Sequence, residues 1–199
     1  MPISASEVKK LRDITGAGMM DCKKALTETQ GDIEKAIEFL RKKGIASAAK
    51  RSGREVNEGV IMSYIHPGNR LGVLVEVNCE TDFVAKTDDF LALAKDMAMQ
   101  IAASNPIAVN REDVSQELID KELDIFRTQA KNEGKPEAVI EKIIQGKIDK
   151  YYQEVVLMEQ NFVKNPDVTI REYLMEVSGK LGENMSVRRF VRFQIGDEK

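Results

Sequence analysis

The chain has 199 residues, with 30 basic side chains, 33 acidic ones and a single histidine, giving a formal net charge of −3. That balance supplies no overall positive field to attract a nucleic-acid backbone, and the length suits one substantial core or a small domain beside a medium one. No run approaches the eighteen or so apolar residues of a membrane span, and no signal-peptide pattern opens the chain, so a soluble, cytosolic protein is expected.

From the N-terminus, Ser4 and Glu7 have capping-box spacing ahead of Val8 and Leu11, which predicts a helix that stops by Gly16. Cys22, Ala25, Leu26 and Thr29 then recur at helical spacing, and Gly31-Asp32 ends that helix and caps the next. Ile33, Ala36, Ile37 and Leu40 form the third stripe, with Gly44 placed as a left-handed C-terminal cap. Periodicity weakens over residues 46–58, where Lys50, Arg51, Ser52, Gly53 and Arg54 read as a polar linker. Residues 60–66 and 71–79 are rich in β-formers and are joined by Pro67-Gly68-Asn69-Arg70, which predicts an antiparallel hairpin. Its second strand places Val73, Val75, Val77 and Cys79 on one face.

Helical stripes follow at Phe90, Leu91, Ala94, Met97, Ala98 and Ile101, and at Ile119, Leu123, Phe126 and Ala130. Gly134-Lys135-Pro136 separates these from a longer helix through Ile140, Ile144, Ile148 and Val155. Thr169 and Glu172 open a last helix that ends at Gly182, and residues 185–195 alternate like a third strand. The expected fold is α+β: a three-helix N-terminal domain over residues 1–50, a linker at 51–58, and a core at 59–199 in which helices cover a small antiparallel three-stranded sheet.

The chain lacks the phosphate-binding GxxxxGK pattern, GxGxxG, HExxH and GxSxG. Cys22 and Cys79 stand far apart outside any metal-ligand spacing, so no cofactor, metal site or disulfide framework is expected, and enzymatic chemistry has little foothold. Two runs look like surfaces instead. In Gly16-Ala17-Gly18-Met19-Met20, adjacent methionines at a helix start cannot both face a core three helices deep. At least one is expected to be exposed, and the pair reads equally as an adaptable partner contact or as ordinary core filler. In Glu80-Thr81-Asp82-Phe83-Val84-Ala85-Lys86, an acid beside an aromatic at a strand-to-helix corner reads either as a projecting wedge or, more plainly, as a cap with Phe83 anchoring the helix to the sheet. Taken alone, the residues favour the anchor.

These two runs resemble the signatures of elongation factor Ts. Thr15-Gly16-Ala17-Gly18-Met19-Met20-Asp21-Cys22-Lys23-Lys24-Ala25-Leu26 is similar to the family's first signature, and Glu76-Val77-Asn78-Cys79-Glu80-Thr81-Asp82-Phe83-Val84-Ala85 to its second. Val187-Arg188-Arg189-Phe190-Val191-Arg192-Phe193 resembles the family's ending. The resemblance implies a guanine nucleotide exchange factor that binds elongation factor Tu in its GDP-bound and nucleotide-free forms. It implies that residues 1–50 form a ubiquitin-associated-like domain docking through Arg12, Met19 and Met20, and that Thr81, Asp82, Phe83 and Val84 enter near the partner's magnesium ion and help dislodge it. The anchor reading of Phe83 is thereby reversed.

The chain departs from longer members in having one hairpin-plus-helices core, with no second core repeat or coiled-coil insertion expected, and in carrying Asn161 where the family often has proline. Short members of this kind resemble those that dimerise, which implies a homodimer in a two-plus-two complex. His66 is a possible interface residue, or simply a surface histidine. Two rivals remain: an interaction module without exchange activity, and RNA binding through Arg188, Arg189 and Arg192 interleaved with Phe190 and Phe193, which the acidic balance opposes.

Overall fold

The computed structural model describes residues 3–134 and 136–197. Lys135, in the expected break between two helices, lies outside the described residues. Local capping sets the first helices. Helix α1 (Ala5–Thr15) opens with the predicted box: Glu7 N–H donates to Ser4 Oγ at 3.3 Å and Ser4 N–H to Glu7 Oε2 at 2.8 Å. It ends where Gly16 turns left-handed at φ 67° and donates to Arg12 O. Helix α2 (Met19–Glu28) follows, and Asp32 accepts from Lys35 N–H to start α3 (Ile33–Arg51). Val8, Leu11, Cys22, Ala25, Leu26, Ala36 and Leu40 close the core of this three-helix set.

Strands β1 (Glu58–Ile65) and β2 (Leu71–Cys79) form the predicted hairpin, closed by His66 N–H to Leu71 O at 2.9 Å. A one-turn helix α4 (Asp82–Ala85) precedes α5 (Asp88–Ser104). Helices α6 (Gln116–Asn132) and α7 (Glu137–Val155) pair as a helical hairpin around Ile119, Ile148, Ala130, Ile140 and Ile144. Strands β3 (Asn161–Phe162) and β4 (Asn165–Thr169) make a small antiparallel ribbon that the sequence reading did not anticipate. Helix α8 (Ile170–Leu181) ends at Gly182, and β5 (Met185–Gln194) completes an antiparallel sheet of order β1-β2-β5. The expected α+β class, with N-terminal helices and a three-stranded antiparallel sheet packed with helices, is the one observed. Along β2 the buried residues are Val73, Val75, Val77 and Cys79, the face that alternation assigns to the core.

The chain divides into two units. One holds the chain to Val60, Val77–Leu93 and Glu172–Ser186, and therefore α1 to α4, the start of α5 and most of α8. The other holds Ile61–Glu76, Ala94–Arg171 and the chain from Val187, including the β1–β2 turn, α6 and α7.

Within the first unit the reading of Gly44 is corrected. It does not cap a helix: α3 runs through it to Arg51. A Cβ built on Gly179 of α8 would fall 2.7 Å from the Cα and carbonyl carbon of Gly44. The two glycines let the α3 and α8 backbones meet where any larger side chain on α8 would hold them apart.

Candidate functional site

Neither methionine of the α1–α2 turn reaches the three-helix core. Met19 is 43% and Met20 76% exposed, and Ile14 and Arg12 are exposed beside them at the end of α1. The core of α2 is taken by Cys22, Ala25 and Leu26, so the first turn of that helix has no inward position left for a long side chain. Ile14, Met19 and Met20 are thus exposed apolar side chains at the end of α1 and the start of α2, and the methionines are flexible ones.

The turn is pinned from α8. Gly16 presents no side chain, and a Cβ there would meet Lys180 Cε at 2.5 Å. Lys180 crosses above it and its ammonium bonds Asp89 Oδ1 at 2.8 Å, which ties the methionine turn to the start of α5. A cleft of about 500 Å³ lies in the same unit, lined in part by Ile14, Asp21, Lys43, Asp89, Tyr173 and Lys180. Its lining carries the Lys43–Asp21, Lys180–Asp89 and Arg41–Glu176 ion pairs, so these charges are already partnered within the unit.

The other run forms a corner and a single helical turn. Thr81 is the N-cap of α4, with Oγ1 accepting from Val84 N–H at 3.4 Å. The capping half of the plain reading therefore holds, and its other half does not: Phe83 is 79% exposed and anchors nothing. The inward position of that turn belongs to Ala85, which is buried, while Val84 is partly covered. Asp82 is half-exposed and paired with Lys86 Nζ at 2.6 Å, a hydrogen bond and charge that hold the Lys86 ammonium above its usual pKa. Such an exposed one-turn pair is weak and breaks readily.

The corner leading into α4 is held from two places far along the chain. Glu183 Oε2 accepts from Glu80 N–H and Thr81 N–H, each at 3.1 Å, and Glu183 Oε1 accepts from the Thr81 hydroxyl at 2.6 Å. In return, Glu80 Oε1 accepts from Asn184 N–H at 2.6 Å, and Arg54 adds a longer ion pair at 3.3 Å. The Asn184 hydrogen bond, and then Arg54, hold the Glu80 carboxyl below its usual value. Asn184 also donates to the carbonyls of Ser52 and Arg54, so the end of α3 joins the same lattice. Beneath the corner, burial first and then the Glu183 charge push the Cys79 thiol up to about 11.

His66 belongs to the other unit, exposed at the end of β1, with Nδ1 3.1 Å from the Tyr64 hydroxyl. Of the basic strand side chains, Arg189 is paired with Glu76 at 2.8 Å, and Arg192 is mostly covered and bonds Gln194 and Asp197. That spends much of the charge an RNA-stacking strand would need. Ile61, Ile65, Leu74, Val191, Phe193 and Ile195 of the same unit are exposed apolar side chains. Among the described residues, no group of three His, Cys, Asp or Glu side chains is placed to hold a metal ion, and no helix is long and apolar enough to cross a membrane.

Comparison with known proteins identifies the family. The family model described as "Elongation factor TS" matches residues 4–197. The elongation factor Ts of Carboxydothermus hydrogenoformans is 60% identical over 195 residues, covering 98% of this chain and 90% of the relative. That of Geobacter sulfurreducens is 59% identical over 197 residues, covering 99% and 91%, and that of Moorella thermoacetica 60% over 195, covering 98% and 96%. The chain belongs to the elongation factor Ts family. It is thus a translation factor of short form, a nucleotide-exchange factor for elongation factor Tu and not an enzyme. The signature-like runs direct attention to Thr81, Phe83, Met19 and Met20, whereas no local pattern points to Lys180, Glu183 or Asn184, whose contacts here are with residues distant in the chain.

Proposed function

We propose that this member of the elongation factor Ts family releases GDP by docking its α1–α2 turn on elongation factor Tu while Phe83 wedges into the partner beside the magnesium site. The observation that carries the reading is Phe83 itself, a large aromatic left 79% exposed just after a corner whose backbone is held by Glu183. An aromatic standing free on a fixed support supplies contact area at little ordering cost. A GTPase grips its nucleotide through phosphate contacts and a bridging magnesium ion, and disturbing either weakens the complex without bond chemistry. By linkage, a factor that prefers the nucleotide-free form weakens GDP by the same ratio. Asp82 contributes by exchanging its pairing with Lys86 for contacts near the displaced ion. Thr81 holds the turn and Val84 lines its base.

In this reading residues 1–50 serve as the docking domain, 51–58 as their connection, and 59–199 as the core that carries the wedge, in the cytoplasm. Arg12, Met19 and Met20 supply affinity and Phe83 supplies exchange. Met20→Ala accordingly raises the concentration of factor needed for half-maximal stimulation by about tenfold, for about 1.5 kcal/mol of lost apolar burial, with little change in the maximal rate. Titrating GDP release from elongation factor Tu with each protein checks this; an unchanged midpoint would remove Met20 from the contact.

The exposed apolar side chains of the sheet support a homodimer, and hence a two-plus-two complex, because a monomer rarely leaves so many clustered apolar groups in water. Phe193→Glu then weakens self-association by roughly tenfold or more, read by sedimentation equilibrium. A wild-type chain that stays monomeric at micromolar concentration rules the dimer out. His66, exposed near the β1–β2 turn, is proposed as a rim contact of the same kind.

A further inference from the structure

We infer that Glu183, in the turn after α8, is a positioning residue for exchange: its carboxylate sets the corner from which Phe83 projects. The inference rests on the wedge reading above and extends it to a residue outside all three family-like runs. Three donors from two adjacent residues converge on this one side chain: Glu80 N–H, Thr81 N–H and the Thr81 hydroxyl. The first two fix the peptide planes immediately before α4, and the third fixes the rotamer that caps it. Phe83 follows two residues later on a helix of a single turn, which has no length of its own to resist reorientation.

Glu183 is itself constrained. Its carbonyl accepts from the buried Ser178 hydroxyl of α8, and the next residue, Asn184, returns a hydrogen bond to Glu80 and spans to Ser52 and Arg54. The corner is thus set by a reciprocal pair of carboxylates, each accepting from main chain beside the other. Deleting the Glu183 carboxylate removes the acceptor of all three donors while leaving Phe83 and the docking patch chemically untouched. Supporting groups of this kind hold a working side chain to within the tolerance its contact requires.

The test is a cycle of Glu183→Ala, Phe83→Ala and the double variant, each assayed for stimulated release of a fluorescent GDP analogue from elongation factor Tu at fixed magnesium. Melting curves are recorded alongside, and Glu183→Gln serves as the conservative variant. Glu183→Ala is expected to lower the maximal stimulated rate by about fivefold or more, the low end of a typical coupling between sites, with the half-saturating concentration nearly unchanged. Glu183→Gln, whose carbonyl oxygen still accepts from both main-chain N–H groups, retains most of the rate. Because Glu183 acts through Phe83, adding Glu183→Ala to Phe83→Ala produces little further loss.

A wild-type rate for Glu183→Ala overturns the inference, and so does a loss that multiplies in full with that of Phe83→Ala. If Phe83→Ala is itself wild-type, the wedge reading falls and this inference with it, whereas a slow Phe83→Ala beside an unaffected Glu183→Ala removes the positioning role alone. Should Glu183→Ala fail to fold, Glu183→Asp takes its place in the cycle with the same expectation of a non-multiplying loss.

Discussion

Phe83→Ala slows stimulated GDP release by about thirtyfold or more, while the melting temperature of the factor stays where it was. The size follows from the energetics of protein contacts, where a few central aromatics each account for about 2 kcal/mol or more, and 2 kcal/mol is roughly a factor of thirty. The unchanged stability follows from exposure: Phe83 is 79% accessible, and substitutions at such positions commonly alter stability by less than about 0.5 kcal/mol. The pairing of the two readouts separates the wedge from the anchor. An anchoring aromatic would lose stability and exchange together. An unaltered release rate would leave Phe83 without a role and favour a module that binds elongation factor Tu without acting on its nucleotide. Phe83→Leu should fall between the two, since it keeps part of the volume without the ring.

Gly179→Ala is the substitution expected to cost most in stability, about 1 to 3 kcal/mol, because the added methyl would sit 2.7 Å from the Gly44 backbone and force α8 off α3. Gly44→Ala is expected to behave in the opposite sense. Its Cβ would stand 3.7 Å from Gly179 Cα, an ordinary contact, and alanine in a helix interior is favoured over glycine by about 0.5 to 1 kcal/mol. Urea unfolding of the two variants measures both, and an equal response would mean that the helices do not cross as closely as the geometry requires. Since Lys180 follows Gly179 directly and reaches over Gly16 to Asp89, Gly179→Ala should also disturb the methionine turn.

Much of the fold was legible because its elements carry strong periodic patterns with punctuation at both ends. The capping box at Ser4, the helix stop at Gly16, the Asp32 cap and the turn after His66 all stand where the local chemistry places them. The alternation of Val73, Val75, Val77 and Cys79 likewise becomes burial. Gly44 misled for a physical reason: glycine after a basic run reads as a helix end, whereas its use here is defined by Gly179, and no local pattern announces a partner so distant in the chain. Strands β3 and β4 were missed because two and five residues, one of them Pro166, are too short for a period to register. At the candidate site, the exposure of Phe83 could be expected only through the family resemblance, since an aromatic after a cap more often packs inward. Glu183 had no signal at all, being one acid among 33 acidic residues.

The two thiols carry a practical consequence for watching this exchange. Cys22 and Cys79 are both free and buried, and the Cys79 thiol, at about 11, stays protonated at neutral pH. Maleimide chemistry, which needs an accessible thiolate, will therefore pass over both native cysteines while reacting with a third one engineered onto the surface. A dye can be placed on the unmutated background, and docking followed by fluorescence in real time, without first stripping sulfur from the core.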